Sequence, residues 1–280
     1  MIGAFSAEWL KLRKRTATII ISVIWLALVL LLEYLLPYLI FKNPPRPRNG
    51  NPALNSAALI ATLLPKNIAS YFVPGSTTLG GALALVLAAL TGGSEYAWGT
   101  LKTIFTQRPT RLSVFVGKLL ALALLLVVFV ALGFIAAAIG SVVVALTDHA
   151  AVTWPPLGDI AKGAGALFLI FAAWAALGLG LSILFRGTAL AIGLGLVYAF
   201  VIEGLISFYS NSSDVVKTIS EGLLGTNGGA LVDPLRSSSG GFRASTSPPV
   251  GVGQAAVTLG VYIVVFVALA AILLRQRDVT

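Results

Sequence analysis

Long apolar runs separated by short polar segments dominate this sequence. A helix needs about 20 apolar residues to cross a bilayer core about 30 Å thick, and six runs have that length. They predict six membrane-spanning helices at about residues 16–41, 68–93, 113–146, 163–185, 187–209 and 254–274. The first run is too long for a signal-peptide core and no small-residue cleavage site follows it, so we expect it to remain as a span.

The segment before the first run, 1–15, predicts an amphipathic helix. Ile2, Phe5, Trp9 and Leu12 recur at helical spacing on one face, and basic residues follow them. A basic helix with a tryptophan on its apolar side suits a bilayer surface with anionic lipid. The residues expected at this interface are Trp9, Lys11, Arg13, Lys14 and Arg15. A simple topology anchor is the other interpretation, and the two roles are compatible.

The composition agrees with a membrane protein. Hydrophobic residues form 58% of the 280-residue chain and charged residues 10%, against about 45–50% and about 25% in soluble domains. So few charges cannot cover the surface of a soluble protein, which excludes a cytosolic enzyme and a disordered chain. The net charge of +9 comes mostly from Lys and Arg beside the apolar runs, where membrane topology places them, so we predict no nucleic-acid partner.

Basic residues also predict the orientation. Eleven lie densely on the side of the termini: in the two terminal segments, in 94–112, at Lys118 and at Arg186. The other eight are spread over longer segments on the opposite side. The positive-inside rule therefore predicts that both termini face the cytoplasm. The expected location is a bacterial-type cell membrane, with the chain as a multi-pass protein.

The residues for catalysis or metal binding are scarce. The chain has no cysteine and a single histidine, His149, so a zinc site of the usual His/Cys type cannot be built. It also has no glycine-rich phosphate loop ending in Gly-Lys-Ser/Thr. We therefore predict no catalytic residue, no metal and no cofactor bound by this chain. A membrane enzyme would need a cluster of carboxylates, histidines or metal ligands, and only scattered candidates exist.

The segment 94–112 predicts a short helix outside the membrane. Ser94 is a candidate N-cap, Trp98, Leu101 and Phe105 share an apolar face, and Pro109 ends the pattern. Such a face suits either a groove on a partner protein or the chain's own spans, and the sequence leaves both open.

At this segment the chain resembles the permease subunits of ABC-2 type transporters. The resemblance rests on the run 95–102 (EYAWGTLK), on 108–111 (RPTR) and on Lys118 at the start of a span. The run 7–15 (AEWLKLRKR) is similar to the elbow helix that opens those permeases. The resemblance covers the whole chain. It implies an all-α, type V exporter-like fold, in which an elbow helix, 1–15, precedes a six-span transmembrane domain, 16–280.

The resemblance also implies partners and a function. A separate ATP-binding cassette subunit would hold ATP and Mg²⁺. A second permease would pair with this chain along spans two and five, with a second copy favoured over a related permease. The expected activity is export of an amphiphilic small molecule, peptide or lipid. The residues that would couple to the ATPase are Glu95, Tyr96, Trp98, Leu101, Lys102, Phe105, Arg108, Arg111 and Arg186.

Two carboxylates, Glu33 and Glu203, lie well inside predicted spans, about sixteen residues or roughly 24 Å from the cytoplasmic end. Acids inside a membrane are costly, so both are candidates for the translocation path, with a structural hydrogen bond as the alternative. They also support a second hypothesis, an ion-extruding permease of the same family. A non-transporting membrane scaffold is the third.

Two further patterns predict packing. Small residues four apart, such as Gly178 and Ser182, allow close helix contacts, either within the monomer or at a dimer seam. In the segment 210–253, the apolar face of residues 214–224 predicts one short helix on the outer surface.

Overall fold

The computed structural model describes residues 2–43, 55–97, 111–210, 212–236 and 250–276. Within these ranges the regular structure is helical and no strand occurs. Six helices are long and apolar enough to cross a membrane, which confirms that prediction. Spans 1 to 6 are Thr16–Lys42, Pro65–Tyr96, Leu112–Thr147, Leu157–Leu184, Thr188–Phe208 and Val252–Gln276. The chain is therefore a multi-pass membrane protein.

Shorter helices lie at the ends of these spans. The N-terminal helix is Ile2–Lys14, and we call the side of the membrane where it lies the N-terminal side. A short helix, Ser56–Thr62, precedes span 2, and its N-cap Asn55 accepts a hydrogen bond from the Ala58 amide. Two more, Asp214–Glu221 and Leu224–Val232, stand between spans 5 and 6 and are called the first and second outer helices.

Spans 2 and 4 form the centre of the bundle, whereas spans 1, 5 and 6 have largely exposed apolar faces. The two central spans approach through glycines. A Cβ on Gly178 of span 4 would overlap the carbonyl oxygen of Leu85 in span 2, and one on Gly81 would overlap the ring of Trp174. Of the two alternatives for the small residues, Gly178 therefore follows the first, packing within the monomer.

An aromatic cluster joins spans 1 to 4. The indole of Trp25 stacks on Phe129 with ring centroids 5.2 Å apart, and it meets the edge of Phe171 at 5.9 Å. Its Nε1 donates a hydrogen bond of 3.0 Å to the carbonyl oxygen of Phe129. The indole is 1% exposed, so this polar atom needs a partner inside the protein, and the bond fixes the ring between the spans.

We predict that Trp25→Phe lowers the free energy of unfolding by about 1–2 kcal/mol, because it removes this hydrogen bond and shrinks a buried ring. Reversible unfolding of the purified chain in mixed micelles measures the change. Trp154→Phe is the matched control, since Trp154 lies between spans 3 and 4 and is 54% exposed. Equal effects of the two variants would contradict the prediction.

Two spans contain a wider helical turn. Span 1 is π-helical over Val29–Leu35, and span 5 is π-helical over Val197–Ile202. The first segment contains Glu33 and the second ends directly before Glu203. Such turns often occur at functional sites in helices. Both intramembrane carboxylates are thus placed by irregular helix geometry that hydrophobic periodicity could not indicate.

Two sequence predictions differ from the structure. The helix of span 2 continues over Ile68–Ala97, so Ser94 is not the N-cap of a separate helix. Gly92 and Gly93 lie inside that helix, where the absence of a side chain allows close approach to Ser182 and Thr188. The expected single helix over 214–224 also ends earlier, at Glu221, and a second helix follows it.

Candidate functional site

Four charged side chains form a buried cluster on the N-terminal side. Lys11 of the N-terminal helix lies 2.8 Å from Glu8 Oε1 and 2.6 Å from Glu95 Oε1, the latter at the end of span 2. Lys118, in the second turn of span 3, lies 2.8 Å from Glu95 Oε1 and 3.3 Å from Glu8 Oε2. We call these four residues the ion-pair cluster. It joins three helices that are far apart in the sequence.

Three of these four charged side chains are almost fully buried, so each charge needs a partner inside the protein. Glu8, Glu95 and Lys118 are each 3–4% exposed. The two carboxylates and two ammonium groups balance, and Lys118 Nζ also donates to the Thr91 carbonyl oxygen at 3.2 Å. A buried charge is tolerated only when it is paired and hydrogen-bonded, and each member of this cluster meets that condition.

Lys11 is the member nearest to solvent, with a third of its side chain exposed. Burial alone would lower the pKa of Lys11, but the carboxylates of Glu95 and Glu8 outweigh that effect and raise the pKa above its ordinary value of 10.5. A lysine whose pKa is raised by folding stabilises the folded state at pH values below its pKa in the unfolded chain. This contribution is lost as the pH rises through its pKa in the folded chain. The ammonium group of Lys11 is therefore fully charged at neutral pH.

Arg15, directly after the N-terminal helix, makes a second set of contacts with span 2. Nη1 of Arg15 donates to the Leu90 carbonyl oxygen at 2.9 Å and to Ser94 Oγ at 3.1 Å. On span 3, a Cβ on Gly117 would lie 2.9 Å from the backbone of Ala4. The N-terminal helix is thus packed directly on span 3 and is held to the end of span 2.

Two members of the ion-pair cluster belong to the helices that the segment 98–110 connects in sequence. Glu95 and Tyr96 belong to the last turns of the helix Ile68–Ala97, and Lys118 lies seven residues after the start of the helix Arg111–Thr147. The residues of the predicted coupling set outside the described part are Trp98, Leu101, Lys102, Phe105 and Arg108. Arg111 begins a described helix, but its side chain is not described.

The other predicted residues of this side have different positions. Arg186 is exposed and has φ of 52°, the left-handed region, in the turn between spans 4 and 5. That turn contacts span 2, because a Cβ on Gly93 would lie 2.8 Å from the backbone of Gly187. Of the predicted interface residues, Arg13 and Lys14 are exposed, and Trp9, Lys11 and Arg15 are half-buried.

Sequence reasoning did not pair Glu8 with any other residue. The signal available in the sequence was the single lysine, Lys118, inside the apolar run that follows 94–112. A lysine there needs a carboxylate, but the sequence does not say which one. Glu95 was expected at a partner protein. In the structure its carboxylate is bound by Lys11 and Lys118.

Glu203 holds the second outer helix. The Gly225 amide, in the first turn of that helix, donates to both carboxylate oxygens at 3.0 and 2.8 Å. The Leu224 amide donates to the hydroxyl of Tyr198 at 3.4 Å, and the Tyr262 hydroxyl donates to the Gly222 carbonyl oxygen at 3.0 Å. Spans 5 and 6 therefore fasten the outer helices through side chains, which is the structural alternative considered for Glu203.

We predict that Glu203→Gln weakens this attachment, because an amide is a poorer acceptor than a carboxylate for the free amides of a helix start. The expected loss is about 1 kcal/mol in the opening free energy of the second outer helix, or about fivefold faster amide exchange. Hydrogen–deuterium exchange over Leu224–Val232 measures it. Glu221→Gln is the control, and equal acceleration in both variants would refute the role of Glu203.

Glu33 lies in a separate polar site. Its Oε1 accepts a hydrogen bond from Ser76 Oγ of span 2 at 2.8 Å, and the residue is 8% exposed. No ion pair reaches Glu33 within the described ranges. The two intramembrane carboxylates thus have different environments, and the described residues do not bring them into one site. Those residues also contain no group of three metal-ligating side chains.

Comparison with known proteins gives one family. A family model described as a protein of unknown function, DUF2705, matches residues 81–280, from the middle of span 2 to the last residue. No curated protein matches the chain. The match includes Glu95, Lys118 and Glu203, and the N-terminal helix with Glu8 and Lys11 precedes it.

Proposed function

The chain belongs to the DUF2705 family, and we propose that it is the membrane-spanning subunit of an ABC-2 type exporter. A separate ATP-binding cassette subunit binds and hydrolyses the ATP with Mg²⁺. The permease carries an amphiphilic small molecule, peptide or lipid out of the cell. In this proposal the N-terminal helix is the elbow helix and segment 98–110 is the core of the coupling segment.

The ion-pair cluster is the observation that supports this proposal most. It binds the N-terminal helix, the end of span 2 and the start of span 3 into one unit, and the segment 98–110 connects the last two in sequence. A partner that pulls on this segment would move three helices together, whereas an unpaired loop would absorb the movement. Packed elements joined by buried salt bridges are the kind of network that carries such coupling.

The basic residues on the N-terminal side support the proposed orientation. The basic end of the N-terminal helix and the exposed Arg186 lie on the N-terminal side, and so do the ends of the two helices that the basic segment 98–110 connects. Under the positive-inside rule this side is cytoplasmic, where the ATPase would bind. The membrane is then a bacterial-type cell membrane.

The exposed apolar faces support an amphiphilic cargo and a second permease copy. Span 5 exposes Leu190, Leu194 and Phe200, and span 6 exposes Val257 and Val264. Lipid can cover these faces, and a second copy covering the face of span 5 would create a path between two subunits. Because the path would be lined by apolar side chains, it suits an amphiphile better than a sugar or a hydrated ion. The ion-extruding alternative is supported by Glu33 alone, since the carboxylate of Glu203 is engaged by Gly225.

The proposal is tested by forming the complex. The chain is co-expressed with an ATP-binding cassette protein encoded beside its gene, and the complex is purified in lipid nanodiscs. We expect Leu101→Asp to reduce the yield of complex and the permease-dependent ATPase rate at least tenfold, as expected when a charge is placed at an interface hot spot. Val215→Asp is the matched control, because Val215 is an exposed apolar residue of the first outer helix.

Two outcomes would decide against the proposal. If no cassette protein binds the folded chain, the scaffold and membrane-enzyme hypotheses take its place. If the complex survives Leu101→Asp while Val215→Asp disrupts it, the partner binds elsewhere. Sodium-dependent ATPase activity with no response to amphiphiles would favour the ion-extruding permease.

A further inference from the structure

Among the acidic and basic residues that the structure describes, Glu33 is the one with a buried side-chain oxygen that has no hydrogen-bond partner. It lies in the π-helical segment Val29–Leu35 and faces span 2, where Gly75 presents only backbone to the carboxyl group. A Cβ on Gly75 would be 3.4 Å from Glu33 Cδ. Ser76 Oγ binds Oε1, but Oε2 is buried without a hydrogen-bond partner, and so is the hydroxyl of Tyr34.

The groups around Glu33 bring no positive charge. The titratable side chains that interact with this site are Tyr34 of span 1 and Tyr71 of span 2, whose rings meet edge to face at 6.0 Å. From span 3, Gly140 packs on the Tyr34 ring and carries no side chain. Lysines and arginines form no ion pair here within the described ranges. An ionised carboxylate in such surroundings is strongly unfavourable, and a carboxyl group avoids that cost by keeping its proton.

We propose that Glu33, with Ser76, forms a proton-binding site inside the helix bundle, and that Glu33 is a neutral carboxylic acid in this conformation. A proton suits the site better than a metal ion, because the contacts among the described residues supply one carboxyl group and one hydroxyl. A cation such as sodium needs several more oxygen ligands. Release is the simple dissociation of the carboxylic acid into carboxylate and a proton, which passes to water.

The surrounding backbone allows the site to open. Span 2 contains Pro74 directly before Gly75, and a proline inside a helix removes the hydrogen bond to the carbonyl group four residues earlier, here that of Ser70. Span 1 is π-helical at the same place. Such irregular turns are where helices bend. A bend that separates Glu33 from Ser76 would admit water to the carboxyl group and release the proton. This inference does not depend on the proposed transport function.

The test is carbon-13 NMR of the full chain in lipid bilayers, labelled at the glutamate side-chain carboxyl carbon. The chain has five glutamates, Glu8, Glu33, Glu95, Glu203 and Glu221. At pH 7 we expect a signal at the position of a protonated carboxyl that Glu33→Gln removes and Glu203→Gln leaves in place. Raising the pH is expected to move this signal to the ionised position.

Ser76→Ala is a second variant that keeps the proposal testable if Glu33→Gln does not fold. It removes the one hydrogen bond to the carboxyl group but no charge, so the Glu33 signal is expected to shift and to remain in the protonated range. The proposal is overturned if the Glu33 signal lies at the ionised position at pH 7. It is also overturned if sodium chloride at constant pH moves the signal there, which would identify a sodium site instead.

Discussion

Replacing Lys118 by methionine is expected to lower the free energy of unfolding by about 3–5 kcal/mol. The substitution preserves the length of the side chain but removes one of two cations from the ion-pair cluster. Glu8 and Glu95, each nearly inaccessible, would then share Lys11 alone. Removing one partner of a buried pair leaves an uncompensated buried charge, and this accounts for the large expected loss.

The measurement is reversible unfolding in mixed micelles, followed by helix content. Lys162→Met is the matched control, because Lys162 is also in the second turn of a span, but its side chain is 74% exposed and 3.8 Å from Asp159. Exposed pairs contribute about 0–1 kcal/mol, so the control is expected to change little. A loss below about 1 kcal/mol in Lys118→Met would show that the cluster is hydrated rather than buried.

A double variant separates charge balance from packing. In Glu95→Gln with Lys118→Met, the remaining Glu8 and Lys11 still pair at 2.8 Å, and no buried charge lacks a partner. Replacing both members of a buried pair is often nearly neutral. We therefore expect the double variant to recover most of the stability lost in Lys118→Met. If the two substitutions add instead, the loss comes from packing at Lys118 and not from the charge of Glu95.

The spans could be predicted from the sequence because the bilayer sets their length. Span 3, for example, is identified by its length and hydropathy alone, without its contacts to other spans. The ion-pair cluster could not be predicted in the same way. Lys11 and Glu95 are 84 positions apart, and Glu8 and Lys118 are 110 apart. Charged residues are normally exposed, so the sequence alone gives no reason to bury these four together.

The second outer helix shows another limit of sequence reasoning. Leu224–Val232 contains three glycines and an asparagine, which are poor helix formers. Its stability comes from tertiary contacts: Glu203 binds its first turn, and Gly228 lies against Ile170 of span 4. Asn227 also donates two hydrogen bonds back to the carbonyl oxygens before the helix. Neither the glutamate that holds this helix nor the span that supports it is adjacent in sequence.

Replacing Gly178 by alanine is the second large effect that we expect. In an exposed helix this change is favourable by about 1 kcal/mol, because glycine loses more backbone entropy on folding. At Gly178 the added methyl group would overlap the carbonyl oxygen of Leu85, a backbone atom of a central span that cannot rotate away. Spans 2 and 4 would have to separate, so we expect a net loss above about 3 kcal/mol, at or beyond the usual range for overpacking.

Gly193→Ala is the matched control, because Gly193 lies in the helix Thr188–Leu196 and a Cβ there meets nothing within 4 Å. The same chemical change is then expected to raise stability by about 0.5–1 kcal/mol. Opposite signs in the two variants, measured in the same unfolding experiment, would show that contact with Leu85 determines the outcome. If Gly178→Ala were also stabilising, spans 2 and 4 could not approach as closely as described, and the centre of the bundle would have a different packing.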